Sequence, residues 1–169
     1  MLFQIGEKVV YPNYGVGVIE NVSLRSFGLQ NERFYLLRLL RSSLTVMVPC
    51  AHVEHLGLRK VTRNGAMSRV LDYISCGRCK SNGDWKERFK ESSEKMRTGN
   101  MLQMAEVLKG LLVLQLTKPL SFREKKMLDQ ARRMLITEIA VSRAITEADA
   151  AGMLQKALLK ASLALPPAL

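Results

Sequence analysis

The sequence predicts an α+β chain, with a small strand-built domain over residues 1–61 and an all-helical domain of about five helices over 62–169. Two observations carry this. Up to residue 49 apolar side chains recur in twos, within short runs rich in β-branched and aromatic residues. From about residue 64 they recur in threes and fours, the spacing of helices that bury one face. With 169 residues, 47% hydrophobic and 24% charged, the chain has enough apolar surface for one ordinary domain or two small ones.

The strand runs are Lys8–Tyr11, Val16–Val22, Arg33–Leu39 and Leu44–Val48, separated by the turn formers Pro12-Asn13, Asn31-Glu32 and Ser42-Ser43. Short strands without intervening helices predict a small barrel. Phe3, Ile5, Val10, Val18, Tyr35, Leu37 and Val46 are its expected inward positions, and Pro49 ends the last strand.

In the helical part, Met67, Val70, Leu71 and Ile74 share one face of a first helix. Asp84, with Glu87 three residues on, predicts a capped start at Trp85. That second helix carries Phe89 and Met96 on one side and stops at Thr98-Gly99-Asn100. A very apolar third helix spans Met101 to Leu116. Ser121 and Glu124 form a capping box ahead of a fourth helix with Leu128, Ala131, Leu135 and Ile139 on one stripe. Thr146 and Asp149 open a fifth helix, and Pro166-Pro167 forbids its continuation, which predicts a frayed tail.

The longest apolar run, residues 110–117, is too short to cross a bilayer, and the N-terminus carries no export signal, which predicts a cytosolic chain. Three cysteines are too few to define the fold by disulfides. No phosphate loop, HExxH or GxSxG is present, and Gly15-Val-Gly17 lacks the third glycine and helix of a dinucleotide site. The chain is therefore expected to be no enzyme and to need no cofactor. Cys76-Gly-Arg-Cys79 has ligand spacing, but Cys50, His52 and His55 complete no regular tetrahedral set, so no metal is expected.

Charge is the stronger signal. The net charge is +11, of which residues 1–61 hold +3 and residues 62–169 hold +8, so the helices are the better surface for a polyanion. Lys86, Arg88, Lys90, Lys95 and Arg97 flank the second helix, while Arg123, Lys125, Lys126, Arg132 and Arg133 decorate the fourth. Trp85, the single tryptophan, stands at the start of the first of these basic helices. The residues alone leave two readings open: an indole anchoring a helix pair inside a basic interaction module, or a surface aromatic that stacks on or wedges beside bases.

Residues 3–19 (Phe-Gln-Ile-Gly-Glu-Lys-Val-Val-Tyr-Pro-Asn-Tyr-Gly-Val-Gly-Val-Ile), Leu44-Thr-Val-Met-Val-Pro49 and His55-Leu-Gly-Leu-Arg59 resemble the CarD/CdnL family of bacterial transcription regulators. The likeness continues in Asp84-Trp-Lys-Glu-Arg-Phe-Lys90, Met104-Ala-Glu-Val-Leu108 and residues 120–128, and covers about residues 2 to 160. The N-terminal part alone would also fit the polymerase-binding module of transcription-repair coupling factors. The resemblance implies a Tudor-like barrel that docks on the β subunit of RNA polymerase, and a helical domain that holds promoter DNA at the upstream edge of the transcription bubble. It implies a tryptophan wedge at Trp85 and phosphate contacts at Arg88, Lys90 and Lys125. Lys86, Arg123 and Lys126 join these from the charge map as expected DNA contacts. Some members have arginine where Met47 and Glu87 stand, so Arg25, Phe27 and Met47 are expected to form a more apolar polymerase-docking face. The expected molecule is a monomeric, cytoplasmic, nucleoid-associated regulator.

Overall fold

The computed structural model describes residues 2–12, 14–76 and 84–168. The chain divides into two compact units, Met1–Val61 and Thr62–Leu169.

The first unit is an antiparallel sheet of β1 (Lys8–Tyr11), β2 (Gly15–Phe27), β3 (Gln30–Leu39), β4 (Thr45–Pro49) and β5 (Arg59–Lys60), in the order β4-β3-β2-β1-β5. The sheet stays open, a form compatible with the expected Tudor-like barrel. Its edge strands have five and two residues, too few to close it. Strands β2 and β3 run longer than their apolar alternation suggests and form a hairpin around Gly28-Leu29. Gly28 has φ +64, the left-handed conformation that two-residue hairpin loops require. Asn31 and Glu32, expected in a turn, therefore pair within the ladder against Ser26 and Arg25.

Cross-strand pairing sets which side chains enter the core. Ile19 lies opposite Leu37, and Val22 and Val48 lie opposite Tyr35; these face one apolar cluster with Phe3, Val9, Leu39, Val53 and Leu58. Phe3 meets the Tyr35 ring edge-on, and its backbone N–H donates to the Tyr35 hydroxyl at 3.2 Å. Val46 packs partly, while Val10 is buried but lies outside the cluster, whose place on β1 goes to its neighbour Val9. Two more expected inward positions are corrected. Val18, paired with Lys8, is half-buried, and the buried place goes to Ile19 beside it. Ile5 precedes β1 in a turn and is 63% exposed. Gly17 lies inside β2, where a Cβ would meet the Leu37 side chain at 2.7 Å, so this glycine serves close packing.

The second unit comprises α1 (Asn64–Cys76), α2 (Trp85–Thr98), α3 (Met101–Gln115), α4 (Phe122–Arg143) and α5 (Glu147–Lys160). The expected stripe positions on α1 and α4 meet in one core. Met67, Val70 and Ile74 of α1 and Leu128, Ala131, Leu135 and Ile139 of α4 are buried against Met104, Leu108 and Leu112 of α3 and Leu154 and Leu158 of α5. Among the described residues no helix is long and apolar enough to cross a membrane.

Two short connections shape the part that matters for function. Two residues join α2 to α3, Met96 of α2 enters the core, and Lys95 pairs with Glu106 of α3 at 2.9 Å. The last turn of α2 is thereby fastened to the N-terminal half of α3. Six residues join α3 to α4, and Gln115 at the end of α3 shares a cavity of about 210 Å³ with Lys125 and Leu128 in the first turns of α4. The start of α4 lies near that end of α3.

The C-terminal tail makes contacts that its sequence does not announce. The prolines do keep it out of a helix, but Leu163 is buried, Leu165 packs on the core, and Arg132 donates to the carbonyls of Pro166 and Pro167. Those long-range partners hold the segment down.

Candidate polymerase and nucleic-acid interfaces

In the β unit, alternation turns every second residue of the hairpin away from the core. Arg25 lies opposite Glu32, Phe27 opposite Gln30, and Met47 opposite Leu36, which itself faces Asn21. Phe34 belongs to the same row, opposite Ser23 on one side and Pro49 on the other. Register therefore brings all three expected polymerase-facing residues, Arg25, Phe27 and Met47, to the outer face of the sheet. Phe27 is 59% exposed and Met47 41%, and Arg25 is exposed. Phe27 meets the Phe34 ring edge-on at 6.0 Å, which gives the patch an aromatic base. Phe34 and Leu36 were not singled out from sequence; their place on this face follows once the β2–β3 register is known.

In the helical unit, Asp84 caps α2 by accepting the Lys86 N–H at 3.1 Å, and Trp85 is the first residue inside the helix. Trp85 is 61% exposed, and the Lys86 ammonium lies over its ring at 5.8 Å. The interior-anchor reading of the indole is thereby excluded. Lys86 and Lys90 are exposed and Arg88 is half-buried; the Arg88 backbone N–H donates to the Asp84 carbonyl.

Helix α4 opens on the expected capping box. Ser121 Oγ accepts from the Glu124 N–H and the Glu124 carboxylate accepts from the Ser121 N–H, both at 3.2 Å. Arg123, Lys125 and Lys126 are exposed along its first turns. Phe122, the first residue inside the helix, is 66% exposed, and the Lys126 ammonium lies over its ring at 4.7 Å.

Not every cation mapped onto these helices belongs to a polyanion surface. Lys95 is paired with Glu106. Arg132 is buried: it bonds Asp129 at 2.8 Å as well as the tail carbonyls, and Arg133 reaches the same carboxylate at 3.3 Å. A guanidinium with these partners fastens the tail. Helical spacing alone placed Arg132 on the basic face, because its tail partners lie 34 residues away in sequence.

With both faces described, the comparisons with known proteins decide between families. The CarD C-terminal domain model matches residues 69–155, and the CarD-like/TRCF RID domain model matches residues 3–62. A Bacillus subtilis (strain 168) protein named "Putative transcription factor YdeB" is 35% identical over 146 residues, spanning 86% of this chain and 95% of that relative. The chain belongs to the CarD family. It is a CarD-like transcription factor whose β unit corresponds to the RNA polymerase-interacting domain.

Among the described residues no three His, Cys, Asp or Glu side chains converge to hold a metal. The Cys76 thiol donates to the Asp72 carbonyl at 2.9 Å, while Cys79 lies outside the described residues. Burial pushes the Cys50 thiol above its ordinary pKa, which disfavours the thiolate a ligand or nucleophile needs.

Proposed function

We propose that this CarD-like factor tethers to the β subunit of RNA polymerase through the outer face of its sheet and stabilises the open promoter complex through its helices. Arg25, Phe27 and Met47 dock on the polymerase. Trp85 wedges into the minor groove at the upstream edge of the bubble. Lys86, Arg88, Lys90, Arg123, Lys125 and Lys126 hold phosphates without reading sequence. The protein acts as a cytoplasmic, nucleoid-associated monomer, and its effect comes from binding.

The observation that carries this reading is the exposed indole of Trp85 at a capped, cation-lined helix start. A large aromatic left in water forgoes roughly 1.5–3 kcal/mol of burial, which a partner covering the ring would recover. Wedging between base pairs costs a few kcal/mol of stacking, a cost that falls where melting has already begun. A polymerase-tethered position delivers the ring to such a place. The cations around it supply sequence-independent attraction through counterion release. Each increment of about 1.4 kcal/mol in the open complex is a tenfold gain in its population.

The test is the lifetime of competitor-challenged open complexes on one promoter, with and without the protein. A lifetime lengthened several-fold at saturating protein supports the reading, and an unchanged lifetime at confirmed polymerase occupancy overturns it.

A further inference from the structure

The start of α4 repeats the construction of the start of α2. In each, a side-chain cap, Asp84 or Ser121, is followed at once by an aromatic residue, Trp85 or Phe122. Each ring is mostly in water, at 61% and 66% exposure, and each has a lysine ammonium over one face. Packing of the turn does not explain Phe122. Leu120, ahead of the cap, already occupies the buried apolar position there, and the capping box satisfies the backbone without the ring. Phe122 is flanked by the exposed cations Arg123, Lys125 and Lys126, and the connection before it exposes Leu116 as well.

We infer that Phe122 is a second aromatic contact to DNA, its flat ring lying against a nucleotide while Arg123, Lys125 and Lys126 hold the adjoining phosphates. This rests on the DNA-binding reading of the helical unit and extends it from one ring to two. Charge selects the occupant: an aromatic among three cations suits a polyanion that also offers π faces, and nucleic acid has both. A protein partner would have to be strongly acidic on the matching surface. Aromatic contact also accounts for the ring type, since stacking tolerates any base and needs no particular sequence.

The experiment uses the full chain bound to RNA polymerase on promoter DNA and compares Phe122→Ala, Phe122→Leu and Phe122→Tyr with Trp85→Ala. Open-complex lifetime, affinity for polymerase without DNA, and thermal midpoint are read for each. Phe122→Ala and Phe122→Leu are expected to shorten the lifetime about three- to tenfold, with Phe122→Tyr within about twofold of the parent. Polymerase affinity and thermal midpoint should stay unchanged throughout. If Trp85→Ala shortens the lifetime and Phe122→Ala does not, the second contact is wrong and the function stands. If neither does, the DNA reading itself falls and takes this inference with it. A Phe122→Leu variant that behaves as the parent overturns the aromatic contact, and weakened binding to polymerase without DNA assigns the ring to a protein surface instead.

Discussion

The outer face of the sheet and the helix starts both leave large apolar side chains in water, by different means and in different electrostatic company. On the sheet, the two-residue repeat forces Phe27, Leu36 and Met47 to the side opposite the core once Tyr35 and Leu37 have turned inward. The result is a mixed face on which Phe27, Leu36 and Met47 stand with Arg25 and, opposite it, Glu32. At the starts of α2 and α4, single rings follow a capping residue and stand among lysines and arginines. Apolar side chains set among charges of both signs suit a protein surface of matching shape. Isolated rings within a cation cluster suit a polyanion with stacking faces. The molecule thus separates its two kinds of contact between its two units, which also makes them separable by mutation.

The largest expected break in that separation comes from Phe27→Asp. A carboxylate placed in the docking patch should weaken polymerase binding by about 2 kcal/mol or more, roughly thirtyfold, measured by titration of the two purified proteins. Thermal unfolding of the variant should match the parent, because Phe27 lies outside the core cluster. Loss of the fold in place of loss of binding would erase the distinction between patch and core.

A smaller change sharpens the other side. Lys125→Ala should lower affinity of the polymerase-bound protein for promoter DNA similarly on all sequences, and should reduce the slope of log affinity against log salt by about one. Its polymerase affinity should be unchanged. An unaltered salt slope would remove Lys125 from the phosphate contacts.

The smallest effect concerns the sheet itself. Glu7 accepts the Gln4 N–H at 2.9 Å and pairs with Lys60 of β5 at 2.9 Å; these hold its carboxyl below the ordinary carboxylate pKa, the backbone hydrogen bond contributing most. A carboxylate depressed on folding stabilises the fold fully above its unfolded pKa. That contribution is lost as pH falls through its folded pKa. Chemical denaturation of Glu7→Gln should therefore show a deficit of at most about 0.5 kcal/mol near neutral pH, given the pair's exposure, and the deficit should shrink in acid. A deficit that grows on acidification would contradict the assignment.

Much of this arrangement is legible in the residues, and the misreadings have local causes. The helices announce themselves because caps and apolar stripes are short-range signals: Asp84, Ser121 and Thr146 all cap as their spacing implies. The hairpin is less legible. Asn31-Glu32 has turn composition, but Gly28 can take the left-handed backbone, and so the chain reverses there. Val18 and Ile5 face otherwise than their alternation suggests because facing depends on pairing register and on where β1 begins. Arg132 shows the same limit in the helices, since its spacing matches the basic face while its partners come from the tail. The exposure of Trp85 was undecidable from sequence, because burial of a ring at a helix start depends on which distant side chains reach it.

Open-complex lifetime with Trp85→Ala, compared with the parent at equal polymerase occupancy and alongside thermal unfolding, is the most direct measure of whether the helical unit works through its exposed indole. The account predicts a lifetime shortened about tenfold with a midpoint within about 2 °C of the parent. A midpoint lowered by many degrees with the lifetime intact would contradict it, placing the indole in service of the fold.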